Sequence, residues 1–440
     1  MKEVSLFRLS GAIYIDMSLR LLTALINTYM ISLVNVKLVG ALGAGNQIFL
    51  LFITIFGFLA VGCSVVVAQA IGAKNKILAL KAIHTSIVFN AFLGLVCGAF
   101  VFAFAPNLLR LLQVPSELLA DSAIYLKIIS IVFAIDALAI LMSAVVRVYG
   151  YANYIIIIAV IMNLITLTGN YIALFQPFGL PFYGLAGIGI STITARIIGV
   201  TLFFIIAVKV IKIKFYLAMF LNLSTTILRK ILSVGLPSAG ENLLWITQYM
   251  VAFAFVASMG EASLTVQTIY FQISSFIFFA GSAISMANEV IVGRMVGANA
   301  MQEAYNHTFK ALKFGLIATA FFIAIVFFGR EIIMEIVNLS DEHKSVMRPL
   351  FYLTIALEIG RTLNIVFVNA LRASGDARFP FYMGLIFMWG VSIPVGYLLG
   401  IHYGVGILGV WIGFFCDEWL RGLANTLRWK SKKWQNKRLV

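Results

Sequence analysis

Charged side chains are scarce in this sequence. Asp, Glu, Lys and Arg together make up 11% of its 440 residues, whereas 62% of the residues are hydrophobic. A soluble globular chain carries about 25% charged residues, so this chain has too few to cover a water-facing surface. The composition excludes a soluble protein and predicts an all-α protein whose chain crosses a membrane many times.

Cysteine and histidine are also rare, which argues against a metal centre and against an enzyme. The cysteines lie inside apolar runs without CxxC or Cys/His spacing, so we expect inert packing residues at Cys63, Cys97 and Cys416. The histidines stand singly, without the acidic partners that a membrane prenyl or acyl transferase needs near an interface. They are His84, His307, His343 and His402. We therefore expect no catalytic residues, no metal site and no cofactor.

Apolar segments fill most of the chain. Each covers about 20 residues or more, the length that crosses roughly 30 Å of hydrocarbon. Twelve such spans are predicted, at 10–34, 46–71, 84–105, 122–146, 154–175, 185–210, 231–258, 263–292, 311–329, 348–371, 380–400 and 405–427. An even number of spans places both ends of the chain on the same side of the membrane.

The net charge of +15 lies mostly on one side of this predicted topology. Three of the 32 Lys and Arg residues, Arg20, Arg196 and Arg361, lie well inside spans, and 23 of the other 29 fall on or near the side that holds both termini. Cytoplasmic loops carry such an excess, so both termini are predicted in the cytoplasm. The basic tail RWKSKKWQNKR is then expected to anchor the topology beside anionic lipid rather than to bind nucleic acid. Lys2 and Arg8 precede the first span without a cleavage-site pattern, so we expect that span to be retained.

The two halves of the chain repeat one another at a shift of 225 residues. VAQAIGAKNKILAL at 67–80 matches VGRMVGANAMQEAY at 292–305, and VRVYGYA at 146–152 matches LRASGDA at 371–377. Six spans in each half make the repeats parallel, and transporters of this kind usually bind substrate between the halves. The predicted parts are an amino-terminal six-helix lobe, a basic cytoplasmic linker, a carboxy-terminal six-helix lobe and a basic cytoplasmic tail, at 1–210, 211–230, 231–428 and 429–440.

Three motifs stand out in the carboxy-terminal half: GLPSAGENLLW at 235–245, LRASGDARFPFYMG at 371–384 and GVWIGFFCDEWLRG at 409–422. Together with the repeat, they resemble the multidrug and toxic compound extrusion (MATE) family, and in particular its bacterial branch. The resemblance covers essentially the whole chain. It implies two pseudo-symmetric lobes in a bacterial inner membrane. It also implies an exporter that rocks between inward-facing and outward-facing states, driven by protons or sodium.

Two spans carry a carboxylate at equivalent positions of the repeat, Asp16 and Glu241. An ionisable group at membrane depth costs at least about 2.5–3.5 kcal/mol, so its presence suggests a function. Asp16 is equally explained as the structural partner of Arg20, one helical turn away. The residue one turn after Glu241 is Trp245, which is not basic. We therefore expect Glu241 to be a buried carboxylate without a basic partner, and to contribute more than Asp16 to proton coupling.

Further charges inside the spans bear on the identity of the coupling ion. In sodium-coupled members of the resembled family, an acidic residue stands where this chain has Arg361. An arginine cannot bind a cation, so we expect protons rather than sodium, and we expect Arg361 to pair with Glu358 or Glu241. Glu358 is itself a candidate for proton or cation binding, and a purely structural i,i+3 pair with Arg361 is the alternative. Asp136, which the repeat aligns with Arg361, is a further candidate for proton or cation binding.

Relatives that take up a proton in the amino-terminal half present acids where this chain has amides. An amide does not take up a proton in this pH range, so that proton site is missing here. Asn27, Asn163, Asn170 and Trp245 are predicted to line the substrate cavity. Hydrogen bonding between helices is the alternative for the three asparagines.

The remaining charges inside the spans lie near the predicted cytoplasmic ends. Asp417 and Glu418 share a helical turn with Arg421, and Glu289 lies five residues before Arg294. At both places we expect a gate or a structural ion pair rather than ion coupling.

These residues favour a secondary antiporter that exports amphipathic, often cationic aromatic compounds in exchange for protons. Aromatic walls suit such cations, and the chain has 37 Phe and 16 Tyr. Sodium coupling is one alternative. A lipid-linked sugar flippase of the same superfamily is another, although it would need more cationic residues in the spans than Arg20, Arg196 and Arg361. The expected partners are a small-molecule substrate and membrane lipid, without nucleic acid, and the protein is expected to be a monomer.

Overall fold

The computed structural model describes residues 5–34, 36–112, 114–177, 179 and 184–440, without the side chains of 36–39. Lys2 and the first four residues of the predicted amino-terminal lobe lie outside the described residues. Throughout the described part of the chain the regular elements are helices. A segment in lipid must satisfy its backbone N–H and C=O groups internally, and a helix does so with its own hydrogen bonds. The all-α fold predicted from the apolar segments is confirmed.

The helices of the first half follow the predicted spans closely. They are α1 (Leu6–Val34), α2 (Val36–Gly72), α3 (Lys76–Leu111), α4 (Ser116–Ser130), α5 (Phe133–Val148), α6 (Ala152–Phe175), α7 (Gly184–Ile205) and the short α8 (Leu217–Leu221). A π-helical turn extends α7 to Val210. The axes of α4 and α5 meet at 54°, so one predicted span is a bent pair of helices.

The second half has the same pattern of long helices joined by short connections. They are α9 (Thr225–Ala257), α10 (Glu261–Gly297), α11 (Met301–Phe328), α12 (Arg330–Ile336), α13 (Asp341–Ser374), α14 (Arg378–Phe387), α15 (Ile393–Tyr397) and α16 (Ile407–Lys430). Two π-helical turns, Met388–Ser392 and Leu398–His402, continue α14 and α15 into one span. A 3₁₀ turn follows at Lys433–Lys437.

The number of membrane-spanning helices differs from the prediction. Among the described residues, nine helices are long and apolar enough to cross a membrane, or ten if α4 and α5 form one span. The helices α9 and α16 are 33 and 24 residues long but are not among them. Both carry charges within their length, Glu241 on α9 and a cluster around Asp417 on α16. The predicted count of twelve is therefore not confirmed, although each predicted span lies on a helix or a bent helix pair.

The described chain divides into two compact units. The first contains Ile15–Val67 and Lys76–Gly235. Its apolar core includes the fully buried ring of Phe133, which contacts three rings of α2 at centroid distances of 5.4–5.9 Å, those of Phe49, Phe52 and Phe56. These rings stand three or four residues apart and so share one face of α2.

The predicted linker, 211–230, packs within the first unit. The backbone N–H of Tyr216 donates a hydrogen bond to Nε2 of His84 on α3, at 3.1 Å. The ring of Phe220 on α8 lies 4.5 Å from the His84 ring. His84 is fully buried, so one of the isolated histidines holds the linker against the helices.

The second unit contains Ala68–Asn75 and Leu236–Val440, together with the start of α1 as far as Tyr14. Its core includes the fully buried rings of Tyr270 and Trp411, in an edge-to-face contact at 4.7 Å. The basic tail also packs in this unit, with Trp434 fully buried.

Candidate functional site

Seven charged side chains form a continuous series of contacts inside the second unit. They are Glu241 on α9, Glu358, Arg361 and Arg372 on α13, and Asp417, Glu418 and Arg421 on α16. None of these side chains is more than 13% exposed. We call these seven residues the charge network. Burial of so many charges is tolerated only where each charge meets partners of opposite sign or hydrogen-bonding groups.

Glu358 and Arg361 form one end of the charge network. Oε1 of Glu358 accepts hydrogen bonds from Arg361, at 2.8 Å, and from Oγ of Ser274 on α10, at 2.6 Å. Nε of Arg361 lies 3.5 Å from Glu418 on α16. The predicted pairing of Arg361 with Glu358 is confirmed, and a third helix joins it.

Arg421 lies at the centre of the charge network. Its guanidinium forms two hydrogen bonds to Asp417, at 2.6 and 2.7 Å, and lies 3.2 Å from Glu418. The spacing of three and four residues puts all three side chains on one face of α16. Asn364 on α13 donates to the other oxygen of Glu418 at 2.8 Å, so α13 and α16 are joined by polar contacts. The ion pair predicted for Asp417 and Arg421 is confirmed.

Glu241 and Arg372 form the other end. The guanidinium of Arg372 donates to Oε2 of Glu241 at 2.8 Å, and Arg421 lies 4.0 Å from Oε1. The expectation that Glu241 lacks a basic partner is therefore wrong. That expectation searched only one turn along the same helix, whereas Arg372 is 131 residues further along the chain. The sequence did mark Arg372 as a residue of interest, because it belongs to the motif LRASGDARFP.

The two candidate coupling acids in the first unit, Asp16 and Asp136, each lie beside an arginine of the same unit. Oδ2 of Asp16 lies 3.1 Å from Nε of Arg20, which confirms the predicted local pair. Asp136 is 1% exposed, and its Oδ1 lies 3.3 Å from Nε of Arg196 on α7. The sequence did not indicate Arg196 as a partner, because the two residues lie on helices that are distant in sequence.

Asn170 on α6 joins three helices of the first unit. Its Nδ2 donates to Oδ1 of Asn27 on α1 at 3.0 Å, and its Oδ1 accepts from Oγ of Ser191 on α7. Asn163 has a buried amide nitrogen without a hydrogen-bond partner among the described residues. Hydrogen bonding between helices is confirmed for Asn27 and Asn170, and their predicted contact with substrate stays a prediction.

Trp245 belongs to an aromatic cluster in the second unit. Its ring is stacked on that of Tyr249 at 6.0 Å and lies 6.5 Å from Phe271. Phe253 extends the row, 6.4 Å from Tyr249. The spacing of four places these α9 residues on one face, and Trp245 remains 36% exposed. The cluster offers aromatic surface that could contact a flat or cationic ligand.

Glu289 and Arg294 lie half-buried in the last turns of α10. A role for them as a gate or structural pair stays a prediction.

A family model described as MatE matches the sequence twice, at residues 12–172 and 237–398. The two matches begin 225 residues apart, which is the shift of the internal repeat. Together they cover more than half of the chain.

Individual relatives match along almost the whole length. The chain is 36% identical to an uncharacterized transporter, YisQ, of Bacillus subtilis strain 168, over 99% of this chain and 96% of the relative. It is 25% identical to a probable multidrug resistance protein, NorM, of Thermotoga maritima, over 96% and 91% of the two chains. The fold is similar to that of a multidrug resistance MATE family transporter in an outward-facing conformation, with a TM-score of 0.89, 18% identity and coverage of 97% and 95%.

Proposed function

Because this chain belongs to the MatE family, we propose that it is an efflux antiporter of a bacterial inner membrane. It exports amphipathic aromatic compounds, many of them cationic, and takes up protons in exchange. The relative in Thermotoga maritima is described as a probable multidrug resistance protein, which supports this substrate class. Alternating access then requires two states of the protein whose balance the proton changes.

The charge network is the observation that carries this proposal. It contains four carboxylates and three guanidinium groups in contact with one another, none of them more than 13% exposed. A buried carboxylate without a full counter-charge is costly, and binding one proton removes that excess negative charge. Uptake and release of this proton would change ion pairs that join α9, α13 and α16. A proton can therefore act on the packing of three helices at once.

Protons fit the network better than sodium does. Sodium needs several oxygen ligands at once, and the arginines already engage most of the carboxylate oxygens. Arg361 stands where sodium-coupled relatives present an acid, and it places a fixed positive charge beside Glu358. A proton needs only one carboxylate oxygen, which the network can supply.

The aromatic cluster on α9 supports the substrate class. Trp245 is partly exposed and lies one turn from Glu241 along the same helix, so an aromatic cation bound there would meet a π face near a carboxylate. Purified protein in liposomes should transport ethidium, and a flavin-like anion tested in parallel should be transported more slowly. Equal or faster transport of the anion would show that the substrate class is wrong, while transport of neither compound would contradict the assignment as a multidrug exporter.

The topology that we propose places both termini in the cytoplasm, from the excess of basic residues on that side. A reporter enzyme that is active only in the periplasm should be inactive when fused after Lys433. An active fusion would contradict this orientation. The protein is proposed to work as a monomer in lipid, which light scattering of the detergent-solubilised protein can check.

A further inference from the structure

Glu358 differs from the other carboxylates of the charge network. Its side chain is completely buried, and both hydrogen bonds that it accepts, from Ser274 and Arg361, end on Oε1. Oε2 is buried and has no hydrogen-bond partner among the described residues. By contrast, both oxygens of Asp417 receive hydrogen bonds from Arg421.

The charges of the network leave one negative charge without a counter-charge when all four carboxylates are ionised. A buried anionic oxygen without any partner is costly, whereas a protonated carboxyl group carries no net charge. Protonation at Oε2 of Glu358 would leave Oε1 as a carbonyl oxygen, which still accepts from Ser274 and Arg361. The observed hydrogen bonds are therefore compatible with the protonated side chain.

We propose that Oε2 of Glu358 holds the exchangeable proton of the charge network. This inference rests on the proposed function and prefers Glu358 on α13 to Glu241, the candidate that the sequence favoured. The groups that face Glu358 are Ser274 and Tyr270 on α10, Arg361 on α13 and Glu418 on α16. When Glu358 loses the proton, Arg361 lies between two anionic carboxylates, those of Glu358 and Glu418. The new negative charge strengthens the attraction of Arg361 to Glu358, which then competes with the contact between Arg361 and Glu418 on α16.

Infrared spectroscopy tests this assignment without a transport assay. In the wild-type protein, a pH titration should reveal the carbonyl stretch of one buried protonated carboxyl group. Glu358→Asp should shift the frequency of that band, because the shorter side chain changes the hydrogen bonds of the group, whereas Glu241→Asp should leave its frequency unchanged. A shift in the Glu241→Asp protein with none in the Glu358→Asp protein would overturn the proposal, as would the absence of the band.

Transport separates this proposal from the proposed function. Glu358→Gln imitates the protonated side chain, so efflux driven by a pH gradient should be lost while exchange of labelled for unlabelled substrate continues. Glu331→Gln, a carboxylate on α12 outside the network, serves as the control and should keep gradient-driven efflux. If wild-type protein is driven by the pH gradient and Glu358→Gln is driven equally, the residue assignment is wrong. If wild-type protein itself does not respond, the proposed function is wrong, and the infrared result still decides whether Glu358 carries a proton.

A second, independent observation concerns the ends of α2 and α10, which cross in a symmetric contact within the second unit. A Cβ atom added to Gly72 would lie 1.9 Å from the carbonyl oxygen of Arg294, and one added to Gly297 would lie 1.9 Å from that of Gln69. Gly72 and Gly297 are repeat partners, as are Gln69 and Arg294. The backbones therefore touch at a glycine of each repeat, and neither position has room for a side chain. We call this contact the glycine crossing.

The carboxy-terminal tail is fastened to the glycine crossing. Arg438 donates to the carbonyl oxygen of Gly297 at 2.8 Å, and the N–H of Leu439 donates to Oε1 of Gln69 at 2.8 Å. The same Gln69 side chain donates to the carbonyl oxygen of Ala373 at 2.7 Å. The tail thus connects the end of α2 with the ends of α10 and α13.

Two tryptophans hold the tail in this position. Trp434 is stacked on Trp429 of α16 with ring centroids 4.0 Å apart and an angle of 3° between the rings, and both are fully buried. Nε1 of Trp434 donates to the carbonyl oxygen of Trp429 at 2.9 Å. Such buried stacking is not what a tail lying on lipid headgroups requires.

We infer that the tail is a clasp that keeps the glycine crossing closed and must release before the ends of α2 and α10 can separate. Spin labels at Lys74→Cys and Ala298→Cys, exposed positions just after the ends of α2 and α10, would report the distance between the two helix ends once Cys63, Cys97 and Cys416 are replaced. Arg438→Ala should add a population at longer distance. Lys433→Ala removes the same charge from an exposed position of the same tail and should leave the distribution unchanged.

Two results would overturn the clasp. If Arg438→Ala leaves the distance distribution unchanged, the tail does not hold the crossing. If Lys433→Ala and Arg438→Ala lengthen it equally, the positive charge of the tail acts through anionic lipid and not through the contact with Gly297.

Discussion

Removal of the guanidinium of Arg372 should destabilise the protein through Glu241. Glu241 is 6% exposed and receives its shortest hydrogen bond, 2.8 Å, from Arg372, so Arg372→Met would leave a buried carboxylate with only the more distant Arg421. Breaking a buried ion pair from one side typically costs about 3–5 kcal/mol, and the remaining contact at 4.0 Å favours the lower end of that range. We therefore expect a loss of about 3 kcal/mol.

The double variant isolates the interaction from the loss of each side chain. Glu241→Gln removes the charge that Arg372→Met leaves uncompensated, so the two changes together should cost less than the sum of their separate costs. The difference should be about 1–3 kcal/mol, the range of coupling energies for residues in direct contact. Reversible unfolding by SDS in mixed micelles, followed by circular dichroism, measures these free energies.

Arg20→Met is the control for this cycle. Arg20 is 62% exposed, so the loss of its pair with Asp16 should cost no more than about 1 kcal/mol and should add to the cost of Glu241→Gln. If Arg372→Met and Glu241→Gln are also additive, Glu241 and Arg372 are not energetically coupled, and the reasoning that treats the charge network as one unit fails.

Three further predictions concern other parts of the molecule. Gly297→Ala should lower the unfolding free energy by about 1–3 kcal/mol, since the added methyl group overlaps backbone atoms, and SDS unfolding checks it. Asn170→Ala removes the donor to Asn27 and should cost about 0.6–1.7 kcal/mol in the same assay, the range for hydrogen bonds between membrane helices. The hydrogen bonds from Arg348 hold the pKa of Glu331 below its ordinary value of 4.5, so this pair stabilises the protein above that pH and stops doing so as the pH falls through the lowered folded-state pKa. Glu331→Gln should therefore lower the midpoint of heat unfolding at neutral pH, and the difference from wild type should disappear in strong acid.

The sequence predicted contacts that lie within one helical turn. Asp16 with Arg20, and Asp417 with Arg421, were found because residues three or four positions apart share a helix face. The apolar lengths likewise located the helices, since lipid leaves a chain few other structures. The number of spanning helices was less certain, because α9 and α16 carry charges within their length, Glu241 on α9 and the cluster around Asp417 on α16.

Contacts between distant segments were not predictable in this way. Arg372 with Glu241 and Arg196 with Asp136 depend on which helices pack together, and neither periodicity nor the repeat specifies that. The packing of the carboxy-terminal tail was equally unpredictable from the sequence. Its basic composition suggested an anchor on lipid headgroups, whereas in the structure Trp434 packs against Trp429. A basic segment with aromatic residues fits both situations until its neighbours are known.

Coupling to protons is tested most directly by transport in proteoliposomes that hold the purified protein and ethidium. One set carries a pH gradient at equal sodium on both sides, and the other a sodium gradient at equal pH, with the membrane potential clamped in both. We predict that the pH gradient drives ethidium transport and that the sodium gradient does not. Transport driven by sodium at equal pH, with no response to the pH gradient, would contradict the account.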